Sequence, residues 1–119
     1  MIVVGGPHVS ALPEQIFSDL PGINYAIRGE GEIPLRSLLS LPEPTVSLLA
    51  TVPGLIYRDG SNVRTNESIF AANLDDYGQP AWDLLDLKAY YQQRDMPAPV
   101  IYSRGCPFPC TFCAAKVTS

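Results

Sequence analysis

The chain has one histidine, His8, and three cysteines, and these two shortages narrow its chemistry before any pattern is read. A structural zinc site takes four protein ligands. Three thiols, with the sole imidazole at the opposite end of the chain, fit such a site poorly, and a disulfide would leave one thiol unpaired. Basic charge is also scarce: Lys plus Arg number 8 against 12 Asp plus Glu, a formal net charge of −4, and no stretch gathers the basic residues. Electrostatic binding of nucleic acid is therefore not expected. No apolar run approaches the roughly 20 residues needed to span a bilayer, and no basic segment followed by an apolar one marks a signal peptide. No membrane association is expected, and a reducing cytoplasm, which suits free thiolates, is the default. Internal repeats and low-complexity tracts are absent.

What is present is a folding composition, 46% hydrophobic, broken by 12 prolines that imply many connectors. The cysteines themselves stand close together, as Cys106-Pro107-Phe108-Pro109-Cys110-Thr111-Phe112-Cys113. Positions 106, 110 and 113 would share one face of a helix, and a stripe of buried thiols is the bland reading. Pro109 has no amide hydrogen and its ring would clash with a carbonyl one turn back, while Pro107 and Pro109 push Gly105 and Phe108 away from helical dihedrals. The segment is accordingly read as a loop. Three thiolates on a loop can hold three corners of a four-iron cluster and leave the fourth iron open to a ligand that reacts. A zinc or redox site and inert thiols remain the alternatives.

Residues 2–4 read as a buried strand, turned sharply by Gly5-Gly6-Pro7. Pro13 suits the first turn of a helix over 13–20, with Ile16, Phe17 and Leu20 on its apolar face. Tyr25-Ala26-Ile27 reads as a second strand, running into Gly29-Glu30-Gly31-Glu32. There the acids suit the positive end of a helix carrying Leu35, Leu38, Leu39 and Leu41 on its apolar side. Alternation of strand and helix implies an α/β fold with a parallel sheet covered on both faces. A Pro-containing connector at 42–53 precedes a β-hairpin, Leu55 to Arg58 and Val63 to Thr65 around Asp59-Gly60-Ser61-Asn62. Residues 66–81 read mostly as linker, Trp82 to Tyr91 as a short helix broken by Met96-Pro97-Ala98-Pro99, and 100–103 as a last strand that delivers the cysteine loop at its C-terminal end. That end is where α/β sheets and barrels place their chemistry.

The cysteine run resembles the cluster signature of the radical S-adenosylmethionine (SAM) enzymes, including the aromatic Phe112 before the last cysteine. Val3-Val4-Gly5-Gly6-Pro7-His8, Gly29-Glu30-Gly31-Glu32, Pro53-Gly54-Leu55 and Ser103-Arg104-Gly105-Cys106-Pro107 are similar, in the same order, to radical SAM proteins with an N-terminal cobalamin-binding domain. The resemblance implies three parts. Residues 1–45 would be the C-terminal part of a flavodoxin-like (Rossmann-like) cobalamin-binding domain, 46–98 a linker with a β-hairpin, and 99–119 the first strand and cluster loop of a radical SAM partial (β/α) barrel. The abrupt apolar start, and a cluster loop followed by only six residues, lead to the expectation of a piece of a longer protein, inactive in isolation.

The same resemblance implies Cys106, Cys110 and Cys113 as ligands of a 4Fe-4S cluster, with SAM on the open iron and Phe112 beside its adenine. It places Gly5, Gly6, Gly29, Glu30 and Gly31 near cobalamin. Reductive cleavage of SAM to a 5′-deoxyadenosyl radical would follow, and methyl transfer in many relatives; no separate catalytic side chain is nominated. The implied partners are a small-molecule or peptide substrate and an electron donor such as flavodoxin or ferredoxin. His8 is read as a turn or packing residue rather than a cobalt ligand, Gly105 as serving the bend into the loop, and Trp82, Tyr90 and Tyr91 as packing residues. Arg104 is open between tuning the cluster and lying on the surface. Two other functions compete: a radical SAM methylthiotransferase, whose N-terminal domain would carry further cysteines that this chain lacks before Cys106, and a non-enzymatic metal-binding α/β module.

Overall fold

The computed structural model of the chain describes residues 1–86, 89 and 101–113. These fall into two compact units, 1–70 with 105–113, and 71–86 with 89 and 101–104.

In the first unit the strands β1 (Val3–Gly5), β2 (Tyr25–Ile27), β3 (Leu55–Asp59) and β4 (Asn62–Thr65) form one sheet in the order β1-β2-β3-β4. β1 and β2 are parallel, with Val4 opposite Ala26, whereas β2 with β3 and β3 with β4 are antiparallel. The sheet is therefore mixed, not parallel. The hairpin expected to stand in a linker is joined to β2 through the pairs Ala26 with Ile56 and Ile27 with Leu55, so it extends the sheet that β1 and β2 begin. Its two-residue turn has Gly60 first, at φ 61, the position that a tight hairpin connection reserves for glycine.

Side chains alternate across this sheet with the period of two that a strand imposes. Val3, Tyr25, Ile27, Leu55 and Tyr57 belong to one apolar cluster, closed by Leu38 of α3 (Glu32–Leu39) and Leu49 of α4 (Val46–Leu49). Val4, Ala26 and Ile56 belong to the other, closed by Val9 of α1 (Pro7–Ala11) and by Ile16 and Phe17 of α2 (Ile16–Asp19). Both faces of the sheet are thus covered, as the sequence implied, and β2 and β3 are buried from either side.

Several boundaries differ from the sequence reading. The helix expected over 13–20 is confined to Ile16–Asp19 and a separate helix, Pro7–Ala11, precedes it, because Pro7 rather than Pro13 occupies a helix start and Pro13 holds Leu12 at φ −130, ψ 58, outside the helical region. On α3 only Pro34 and Leu38 are buried; Leu39 is 61% exposed, since eight residues present a narrow apolar face. The connector at 42–53 contains α4, and residues 66–68 are bound into the fold. The Asn66 side-chain amide donates to the carbonyls of Leu49 (2.8 Å) and Val52 (2.6 Å), and the Gly54 amide donates to the Glu67 carbonyl at 2.8 Å.

In the second unit, Leu74–Tyr77 and Trp82–Leu84 are single 3₁₀ turns. Asp86 accepts from the Ala89 amide at 3.2 Å. The rest of the expected helix to Tyr91, and Met96 to Pro99, lie outside the described residues. Of the strand expected at 100–103, residues 101–103 form no strand with any described residue, and Ile101 and Tyr102 are exposed; without a neighbour to share its amides, such a segment forms no ladder.

Candidate functional site

The chain leaves β1 toward one face of the sheet, through α1, and leaves β2 toward the other, through α3. Two adjacent parallel strands whose exits diverge in this way open a crevice at their carboxyl ends. A cleft of about 510 Å³ lies there, lined by Val3, Val4, Gly5 and Gly6 from β1 and its exit and by Ile27, Gly29, Gly31, Glu32 and Leu35 from β2 and α3. Four of the nominated cofactor residues, Gly5, Gly6, Gly29 and Gly31, are brought together. Glu30 is not among the lining residues. The acid in the wall is Glu32, at the first turn of α3, where a carboxylate meets the positive end of the helix.

The Gly29 turn is held from several sides. The Arg28 amide donates to the Gly54 carbonyl at 2.8 Å, the Ser68 hydroxyl donates to the Arg28 carbonyl at 3.2 Å, and the Gly29 amide donates to the Ser10 hydroxyl oxygen at 3.0 Å. Gly29 itself lies at φ 78, a left-handed conformation that a side chain would strain. Ser10 was missed by sequence reasoning: a serine in a short helix reads as a surface residue, and nothing local signals that it is 3% exposed and faces the end of another strand.

His8 lies on α1 with an exposed side chain, its Nε2 3.3 Å from Asp19 Oδ2, and it is not among the residues lining the cleft. It is neither a packing residue nor a wall of the crevice.

The cysteine segment is different in kind. Cys106, Cys110 and Cys113 are exposed; Gly105 enters the loop at φ 78, and the Cys113 amide closes a turn on the Cys110 carbonyl at 3.3 Å. Among the described residues no three metal-ligating side chains converge on one point. The donor set nonetheless suits an iron–sulfur cluster: three solvent-reached thiols on one short loop, none consumed by a disulfide or buried in a core. Phe112 is 91% exposed. In the second unit, the Arg104 guanidinium stacks on the Tyr77 ring, 5.2 Å from its centroid, at the residue that precedes the loop's entry glycine.

Among known proteins, the chain is 33% identical over 98% of its length to an uncharacterized methyltransferase of Pyrococcus horikoshii. It is 33% identical over 98% of its length to the anaerobic magnesium-protoporphyrin IX monomethyl ester cyclase of Synechocystis. It is also 28% identical over 95% of its length to the cobalamin-dependent radical SAM methyltransferase TokK of Streptomyces tokunonensis. No family model matches. The chain spans 25%, 23% and 17% of these three relatives, a quarter of their length or less. One of these relatives thus bears the name of the family that the motifs of this chain resemble, the cobalamin-dependent radical SAM proteins. Methyltransferases among them do not favour the methylthiotransferase alternative.

Proposed function

We propose that the protein carrying this chain is a cobalamin-dependent radical SAM enzyme, and that residues 1–119 hold part of its cobalamin cleft and its cluster loop. The observation that carries the reading is the meeting of Gly5, Gly6, Gly29 and Gly31 around one crevice, in a chain that also bears the three-cysteine run. Cys106, Cys110 and Cys113 would hold the 4Fe-4S cluster as thiolates, three ligands for four irons. When bound, these groups would supply one-electron cleavage of SAM to methionine and a 5′-deoxyadenosyl radical, and a cobalt centre suited to carrying a methyl group. The glycines would let a flat cofactor approach the ends of β1 and β2 at backbone distance, and Val3, Val4, Ile27 and Leu35 would exclude water from its apolar part. Phe112 would pack beside the adenine of SAM. The substrate class is a small molecule or peptide, and the electron donor a flavodoxin- or ferredoxin-like protein in a reducing cytoplasm.

The test is 5′-deoxyadenosine release under dithionite by the protein at the length of its relatives. Replacing any one of the three cysteines by Ala should reduce release at least a hundredfold, since a cluster short of one protein ligand no longer presents a single open iron. Full release by the triple Cys→Ala variant would refute the assignment.

A further inference from the structure

Ser10 touches both walls of the cleft, and folding of the sheet does not require that it should. Its backbone amide donates to the Gly6 carbonyl at 3.0 Å, at the exit of β1, and its hydroxyl oxygen accepts from the Gly29 amide at 3.0 Å, at the exit of β2. Gly6 and Gly29 are both lining residues, at φ 103 and 78. The two exits diverge to opposite faces of the sheet, so the strand pairing that ends at Gly5 with Ile27 does not by itself fix their separation. A glycine turn is also the segment with the most backbone freedom to lose. Among the described residues Ser10 is the one buried polar residue, at 3% exposed, and a buried hydroxyl is retained at a desolvation cost unless it bonds. Its bond crosses from α1 to the Gly29 turn.

We propose that Ser10 is a positioning residue that sets the width of the cleft by tying the exit of β1 to the exit of β2, and so tunes affinity for the cofactor. The proposal rests on the cobalamin reading of that cleft. Its hold acts through backbone atoms: with the hydroxyl in place the Gly29 amide is satisfied, and without it that amide seeks water or the ligand while the Gly29–Gly31 turn relaxes.

The test compares Ser10→Ala, which removes the acceptor, with Ser10→Thr, which returns a hydroxyl, and Ser10→Cys, which keeps the volume with a weak acceptor. Amide exchange at Gly29 in the 119-residue chain should accelerate about tenfold or more in the Ala and Cys variants, the change expected for one lost hydrogen bond. Core amides such as those of Ala26 and Ile56 should keep their protection relative to global unfolding, and Thr should restore Gly29. Hydroxocobalamin affinity, measured on the protein at the length of its relatives, should fall about tenfold with Ala and Cys and recover with Thr. Unchanged Gly29 exchange in the Ala variant would overturn the proposal, as would unchanged cobalamin affinity when Gly29 is deprotected. If the wild type itself binds no hydroxocobalamin, the cofactor reading fails and the tuning of that cofactor's affinity fails with it. The exchange data then report separately whether the tie between the two exits exists.

Discussion

The cleft and the cysteine loop are both formed at points where the chain turns, yet they are built by opposite means. At the cleft, the walls are the ends of two paired strands, their exits and the first turn of α3, and the Gly29 turn is pinned by bonds from Ser10, Ser68 and Gly54. The cysteine loop presents three exposed thiols and no regular element among its described residues. A crevice that receives a preformed cofactor must exist before the cofactor arrives. A cluster loop can take its final shape from the metal, because ligand bonds far exceed the cost of ordering a few residues. The difference teaches where to look for sensitivity: the cleft should respond to changes in folding contacts, and the loop to metal.

The largest effect that would break this comparison lies in the loop. Anaerobic loading with iron and sulfide should slow amide exchange across 105–113 by a hundredfold or more while leaving Gly29 unchanged, measured site by site before and after loading. Ordering that spread equally into the cleft would show that the two regions are not built independently.

Next in size is Gly54→Ala. Gly54 lies at φ 63, and a Cβ there would come within 2.7 Å of the Arg28 carbonyl, backbone that cannot step aside without releasing the Arg28 amide from the Gly54 carbonyl. The left-handed conformation and the collision together should cost about 2–4 kcal/mol, read from a denaturant midpoint at constant slope. A smaller loss is expected for Asn66→Ala. Two carbonyls of the segment from α4 to β3 would lose their side-chain donor, at a cost of about 1–3 kcal/mol, with iron uptake by the loop unaffected.

These contacts also show how much could be read from the chain alone. β2 and both strands of the hairpin were legible because apolar alternation and a glycine turn are local signals. The direction in which the hairpin pairs with β2 is not local, and so a parallel sheet was expected where a mixed one stands. Pro13 and Pro7 carry the same helix-start signal, and only the packing of Val9 against Ala26 and Ile56 decides for Pro7. Within the site, Gly5, Gly6, Gly29 and Gly31 line one cleft, and as glycines at strand exits they were readable as turns. Ser10 and Glu32 were not, because their meaning depends on which strand end faces them. The cysteine spacing was the clearest signal in the sequence, and it is the part that the fold alone does least to shape.

The most direct measurement is the metal content of the chain after anaerobic reconstitution with iron and sulfide in the presence of equimolar zinc. A brown protein with about four irons per chain is expected, which loses most of that iron when Cys106, Cys110 or Cys113 is replaced by Ala. A colourless protein that takes up one tightly bound zinc and no iron would contradict it.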